Sequence, residues 1–286
     1  MVIKADSDDL RSVGARLVER RDLTGDLAVF RFEPSTPLVF RAGQWTQLTL
    51  PDPERAGEFV ARPYTIASAP RDPLVSLYVR RVHKPRPGRL TSLLWKLAPG
   101  DRVALGPPRG RFTLDSWRAE PAPRSLLLLA GGTGLAPFAA QIEELWSEGA
   151  PARVVLCHGV SYCDELGFRA RFEELARATH DSAGRPWRLC YLPTVSRPSH
   201  ERNAGWRGAC GRVEALLADC SRADSPLEQA LGHPLDAQRV FAMACGYART
   251  LDNVLRELRA RGFAGPHRDA RGALDVMLDS FGDDAL

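Results

Sequence analysis

Residues 130–138 read AGGTGLAPF and carry the strongest chemical signal in the chain. A glycine-rich turn that leaves a buried strand and opens a helix lets backbone N–H groups approach a pyrophosphate at the positive helix end. Pro137 suits the first helical turn, where its missing N–H does no harm. The run is not the G-x-G-x-x-G fingerprint, and similar turns occur with no ligand. Residues 62–70, RPYTIASAP, set an Arg, an aromatic ring and a hydroxyl close together. Alone, they read better as a plain edge strand beginning after Pro63. Residues 87–101, PGRLTSLLWKLAPGD, hold Gly88, then Thr91 as a candidate N-cap, then an apolar helical stretch stopped by Pro99 and Gly100. A short helix starting among strands is explained well by a second phosphate site.

Composition limits what these motifs can mean. Of 39 basic residues only Lys4, Lys84 and Lys96 are lysines. Arginine is so common that a lone one says little, and it counts only where its neighbours also fit. A net charge of +4 is too small to point to nucleic acid. The six cysteines, Cys157, Cys163, Cys190, Cys210, Cys220 and Cys245, form no C-x-x-C and no C-x4-C-x2-C run. That argues against structural zinc and against a plant-type iron–sulfur cluster, so no metal is expected. Reduced thiols filling the core are expected instead. Apolar runs such as Leu126 to Ala130 are far short of the roughly 20 residues that cross a bilayer. The polar start MVIKADSDDLRS lacks the apolar middle of a signal peptide, so a cytoplasmic protein is expected, with no membrane partner.

The elements that must position the motifs change character along the chain. Up to about residue 115, short alternating runs cut by Gly and Pro read as antiparallel strands: Leu27–Phe32, Gln47–Leu50, Val75–Val82 and Arg102–Leu105. RAEPAPR, residues 118–124, has a linker's composition. Beyond it, Ser125–Ala130 is continuously apolar, as a buried parallel strand should be. Phe138, Ile142, Leu145 and Trp146 then recur at helical spacing. Val154–His158, Leu189–Val195 and Val240–Ala244 read as further strands. Phe168, Phe172 and Leu175 mark a second helix, and Leu251, Val254, Leu255 and Leu258 a last one, closed by Gly262. The predicted architecture is two-domain: an antiparallel β-barrel over 8–118, then an α/β doubly wound parallel sheet over 124–286.

Taken together, these motifs resemble the ferredoxin–NADP reductase family, with its FAD-binding barrel and NADP-binding domain. RPYT resembles the family's R-x-Y-[ST] flavin motif, and GRLT its G-x-x-[ST] pyrophosphate turn. GDRVALGPPRGRF, residues 100–112, is similar to the strand and turn that end the barrel. GTGLAPF is similar to the nicotinamide-nucleotide loop, and ACG, residues 244–246, to the late Cys-Gly. The matches stand in family order from about residue 10 to 263.

The resemblance implies FAD and NADP(H) as cofactors and a role for each matching position. Arg62 pairs with the FAD pyrophosphate, as a guanidinium fork can. Pro63 follows it. Tyr64 packs on the isoalloxazine, and Thr65 sets its hydroxyl near flavin N5. Tyr78, Val79 and Arg80 line the adenine and phosphate side, while Gly88, Leu90 and Thr91 cap the pyrophosphate. Gly132, Thr133, Gly134, Leu135 and Ala136 hold the NADP diphosphate, with Thr133 beneath the flavin edge. Cys245 and Gly246 line the nicotinamide pocket, which makes Thr65 and Cys245 the implied catalytic residues. In TVSRP (194–198) and WRGACGR (206–212), Ser196, Arg197 and Arg212 are candidates for the 2′-phosphate of NADP. No acidic residue stands in TVSRP for an NAD ribose.

Three positions depart from the family pattern. Ser161 stands where bacterial relatives have another phosphate-facing Arg, and Tyr247 where Asn is usual. The tail LDSFGDDAL leaves Phe281 as the aromatic available to cover the flavin. The implied function is FAD-dependent ferredoxin (or flavodoxin)–NADP reductase, with hydride exchange at the flavin and single electrons passed to a separate acidic carrier. The basic run RRVHKPRPGR, residues 80–89, is its candidate docking segment or else a solvated loop. The alternatives on the same fold are the reductase component of an oxygenase, a free flavin reductase, and a flavoprotein subunit that only docks.

Overall fold

A computed structural model describes residues 12–83, 86–120, 122–221, 224–266 and 274–280. Six antiparallel strands build the first half: β1 (Val13–Thr24), β2 (Leu27–Pro34), β3 (Trp45–Pro51), β4 (Phe59–Thr65), β5 (Val75–Arg80) and β6 (Arg102–Leu105). Their order is β4-β3-β6-β1-β2-β5, and the sheet curls until its two edges touch at the single bridge Ile66↔Leu77. Phe30, Phe32, Leu48, Leu77 and Leu105 fill its interior. Each contributes about 1.5–3 kcal/mol by leaving water.

The predicted strands lie within β2, β3, β5 and β6, except that β5 stops at Arg80 and not at Val82. β1 carried no apolar signal because it is dense in Arg, Glu and Asp and half of it faces solvent. β4 begins at Phe59, so Pro63 sits inside a strand rather than before one. It is tolerated there because β4 is an edge. Helix α1 (Arg89–Leu94) crosses beside β4, and α2 (Asp115–Arg118) ends the half.

The second half is a parallel sheet in the order β10-β9-β8-β7-β11-β12. Its strands are β7 (Ser125–Gly131), β8 (Val154–Val160), β9 (Leu189–Val195), β10 (Ala209–Cys210), β11 (Val240–Gly246) and β12 (Val276–Ser280). Helices α3 (Leu135–Glu148), α4 (Arg169–Arg177), α5 (Ala215–Ala218), α6 (Pro226–Leu231) and α7 (Ala248–Arg259) cover both faces. The apolar run of β7 divides accordingly. Leu126, Leu128 and Ala130 pack in one core with Phe138 and Phe172, while Leu127 and Leu129 pack in the other with Val254 and Leu258. The first of those cores continues into the barrel through Val29, Tyr78 and Phe112, so the halves share buried apolar surface.

Across that boundary the Tyr78 hydroxyl donates to the Glu165 carbonyl at 2.9 Å, and Gln141 Nε2 donates to the Phe112 carbonyl at 2.9 Å. Among the described residues no helix is long and apolar enough to cross a membrane.

Candidate functional site

The barrel's two edge strands create the first part of the site. Their pairing stops at Ile66↔Leu77, although the same register continued would set Thr65 opposite Tyr78 and Arg62 opposite Arg81. Beyond the bridge the strands part, and their facing edges make no ladder with each other. Arg62 is half-buried on β4. Nη1 donates to the Ala61 carbonyl at 2.8 Å, and among the described residues no carboxylate lies within 4.0 Å of it. The Arg81 Nε is buried with no partner among the described residues. Two guanidiniums short of partners on parted strands fit a diphosphate. Tyr64 is half-buried beside Arg62, Pro63 is exposed, and Thr65 is buried at the strand's end.

On β5, Tyr78 and Val79 turn their side chains into cores, so only their backbones face the parted edge. Arg80 Nη1 lies between Asp26 Oδ2 at 3.2 Å and Glu165 Oε1 at 3.1 Å. Its Nε and Nη2 have no protein partner among the described residues and remain for an anion.

The turn before α1 is built differently from its expected form. Gly88, not Thr91, takes the N-cap position, and no side chain caps the helix. Thr91 lies inside the helix, where its hydroxyl donates to the Gly88 carbonyl at 3.1 Å and accepts the Val82 N–H at 3.3 Å. Only glycine fits at 88, because a β-carbon there would stand 2.6 Å from Thr91 Oγ1. The Arg89 guanidinium pairs with the buried Asp52, which pins the 52–58 loop to the start of α1. Leu90 is buried in the barrel core, so it too offers only backbone.

The glycine-rich turn is the second part. Gly132–Gly134 form one 3₁₀ turn at the end of β7, and α3 follows at once with Leu135 and Ala136 buried in its first turn. Gly132 has φ +56° with open space around it, and Thr133 is half-exposed there. A β-carbon on Gly134 would collide with the Cys245 carbonyl, so the turn rests directly on the end of β11. β5 also packs against this turn, which brings the barrel's open edge to the glycine-rich turn.

Cys245 is fully buried between Ala130 of β7 and Asp279 of β12, its register partners. Burial, with the nearby Asp279 carboxylate adding to it, pushes the thiol well above its usual pKa. The thiol donates toward Asp279 Oδ2 at 3.9 Å, and burial raises the Asp279 carboxyl as well. Gly246 follows Cys245, and Tyr247 after it is 58% exposed. Asp279 went unnoticed in the sequence because β12 is short and only partly apolar. Its one signal was the three-residue apolar run Val276–Leu278.

The third part lies where β8 and β9 end. Asn203 ties the two loops, donating from Nδ2 to the carbonyls of Ser161 at 3.0 Å and Arg197 at 2.8 Å. Ser196 N–H donates to the Val160 carbonyl at 2.8 Å. Arg197 donates to the Tyr162 hydroxyl and lies over its ring, and Arg202 stacks at 3.9 Å from the ring centroid. Arg202 is held in turn by Asp164 at 2.7 Å, whereas Arg197 has no carboxylate within 4.0 Å among the described residues. Arg212 is exposed on the neighbouring loop, where Gly211 N–H donates to the Val195 carbonyl at 2.8 Å. The structure thus gathers Ser161, Ser196, Arg197 and Arg212 at one sheet end. Tyr162, Arg202 and Asn203 complete the group, and no motif had marked them. Lys84 and Phe281 lie outside the described residues.

Beneath the glycine-rich turn His158 is fully buried, with Nδ1 3.4 Å from the Tyr191 hydroxyl and Nε2 unpartnered among the described residues. Burial pulls its pKa down to about 4, opposed by the Gly132 backbone.

Comparisons with known proteins agree with this division. The family model described as the oxidoreductase FAD-binding domain matches residues 14–114, and the one described as the oxidoreductase NAD-binding domain matches 128–255. Ferredoxin–NADP reductase B of Sorangium cellulosum is 34% identical over 257 residues, covering 89% of this chain and 93% of that protein. The phenol hydroxylase P5 protein of Acinetobacter pittii is 27% identical over 229 residues, covering 77% of this chain and 59% of that protein. The crystal structure of a ferredoxin NADP+ reductase from Neisseria gonorrhoeae superposes with a TM-score of 0.76 at 22% identity, over 94% of this chain and 98% of that one.

Proposed function

The chain belongs to the ferredoxin–NADP reductase family of FAD-dependent oxidoreductases, and on that premise we propose that it oxidises NADPH and reduces a separate acidic carrier, a ferredoxin or a flavodoxin. The observation that carries NADPH over NADH is Arg197. Its guanidinium ends β9 beside Ser196 and Ser161 with no carboxylate partner among the described residues, and TVSRP holds no acid for a ribose diol. Bound FAD would supply the exchange between two-electron nicotinamide chemistry and one-electron carrier chemistry.

The chain's own residues bind and orient. Arg62 holds the FAD diphosphate with the backbone of Gly88–Thr91 and the free donors of Arg80, and Tyr64 and Thr65 flank the flavin ring. We place the FAD-binding half at 8–118 and the coenzyme half at 124–286. Gly132–Ala136 take the coenzyme diphosphate, and Ser161, Ser196, Arg197 and Arg212 its 2′-phosphate. Cys245, kept neutral by burial, closes the nicotinamide pocket above Gly134, with Asp279 behind it accepting the thiol's hydrogen bond.

The test begins with the visible spectrum of the pure protein, titrated with NADPH and then NADH. Arg197→Ala should raise KM for NADPH far more than for NADH, and equal effects would remove the 2′-phosphate assignment. Reduction of an acidic ferredoxin should fall steeply with salt, as screening lengths shrink from about 10 Å at 0.1 M to about 3 Å at 1 M. Charge reversal at Lys84 and Arg86 should mimic high salt for ferredoxin while sparing ferricyanide reduction. A variant that reduces ferredoxin at the parental rate in low salt would move the docking site elsewhere. Efficient transfer to an oxygenase component, with none to ferredoxin or flavodoxin, would replace the reading by that of an oxygenase reductase.

A further inference from the structure

Glu165 is almost fully buried at the boundary between the halves, and both domains supply partners to its carboxylate. Oε1 pairs closely with Arg80 of the barrel at 3.1 Å and more distantly with Arg202 of the α/β domain at 3.9 Å. Oε2 accepts the backbone N–H groups of Ser161 at 3.2 Å and Tyr162 at 3.3 Å, in the α/β domain. The residue's own carbonyl accepts the Tyr78 hydroxyl at 2.9 Å, so its backbone bridges the boundary as well. A buried carboxylate must have its charge and lone pairs satisfied, and here the near cation comes from the barrel while the N–H donors and the more distant Arg202 come from the α/β domain.

The two ends of this link point at different ligands. Arg80 keeps Nε and Nη2 for the FAD phosphates on the barrel side. Ser161 and Tyr162 open the loop that Arg197 and Arg202 pack against, which the proposed function makes the seat of the coenzyme's 2′-phosphate. We infer that Glu165 is a positioning residue that couples retention of FAD in the barrel to recognition of the coenzyme 2′-phosphate in the α/β domain. This rests on the placement of the 2′-phosphate given above. A ligand that fixes one partner of the carboxylate fixes the other, so the second ligand has less ordering to do and binds more tightly. By linkage the gain is reciprocal.

The experiment follows release of FAD from the purified holoprotein by free-flavin fluorescence, with and without saturating adenosine 2′,5′-bisphosphate, and with AMP as the probe lacking the 2′-phosphate. The bisphosphate should slow release by at least about fivefold and AMP by clearly less. Glu165→Gln keeps the side chain's shape but not its charge, and the two release rates should converge. Glu165→Asp keeps the charge but shortens the reach, so one carboxylate can no longer serve both domains and the ratio should fall there too. A parental protein indifferent to the bisphosphate, or a parental ratio in either variant, overturns the coupling. Competition of the bisphosphate against NADPH in Arg197→Ala reads the placement separately. If that variant binds the bisphosphate as the parent does, the placement falls and the coupling with it. If binding weakens while Glu165→Gln keeps the parental ratio, the coupling alone falls.

Discussion

A β-carbon on Gly167 would stand 2.7 Å from both Cζ and Oη of Tyr78, so the ring of the barrel strand rests on bare backbone of the other domain. The next residue, Phe168, holds φ at +58° and meets the same ring edge-on at 5.6 Å. A non-glycine residue in that region costs about 1–2 kcal/mol, offset here by the packing of both rings. Gly167→Ala should therefore lower Tm by the equivalent of about 1–3 kcal/mol of overpacking. Tyr78→Phe should cost about 1 kcal/mol for the lost hydroxyl bond. Calorimetry that finds Gly167→Ala as stable as the parent would show that the boundary is loose.

Arg62→Ala should weaken FAD retention. A charge-assisted hydrogen-bonded pair contributes roughly 1.5–3 kcal/mol, or about 10- to 150-fold in affinity. Flavin absorbance after exhaustive dialysis measures it. A variant that keeps its full complement would hand the diphosphate to Arg80 and Arg81.

Much of this was legible in advance, and the reasons differ by residue. The glycine-rich turn could be read because its chemistry is local: a buried strand, a turn with no side chains, then a helix. Glu165 and Asn203 could not, since their partners lie up to 87 positions away and a hydrogen bond of that span leaves no periodic trace. Thr91 looked like a cap because hydroxyls favour that position, yet its hydroxyl is taken by Gly88 and Val82. Pro63 misplaced the start of β4 because a proline is excluded only from strands paired on both sides.

Asp279→Asn should leave NADPH-driven ferricyanide reduction close to the parental rate, because the neutral Cys245 thiol gives up no proton in hydride transfer and the amide oxygen still accepts its hydrogen bond. A loss of about 100-fold would make the carboxylate a proton carrier instead. KM for NADPH should change little. Alkylation provides the companion measurement. Iodoacetamide should modify exposed Cys210 well before buried Cys245, whose raised pKa leaves almost no thiolate at pH 7. Fast labelling of Cys245 in the folded protein would contradict its burial.

His158 sets a pH dependence of stability. Its folded pKa of about 4 lies below the 6.5 of an unfolded histidine, so between these values the unfolded chain binds the extra proton. The stability present above pH 6.5 should be lost as pH falls toward 4. His158→Gln should flatten that limb of a Tm-against-pH curve. An unchanged slope in the variant would assign the acid limb to other groups.

The strand order also sets a sequence of events during synthesis. β7 stands inside the parallel sheet with β8 and β9 on one side and β11 and β12 on the other, although β11 follows it by more than a hundred residues. Gly134 has nothing to rest on until the Cys245 carbonyl arrives, and Cys245 has no Asp279 until β12 pairs. The barrel has all six of its strands translated before the first parallel strand is made, so it can emerge ahead of the sheet. A nascent chain can thus hold a flavin-ready half while its coenzyme pocket has no wall. The capacity to keep a cofactor precedes the capacity to reduce it.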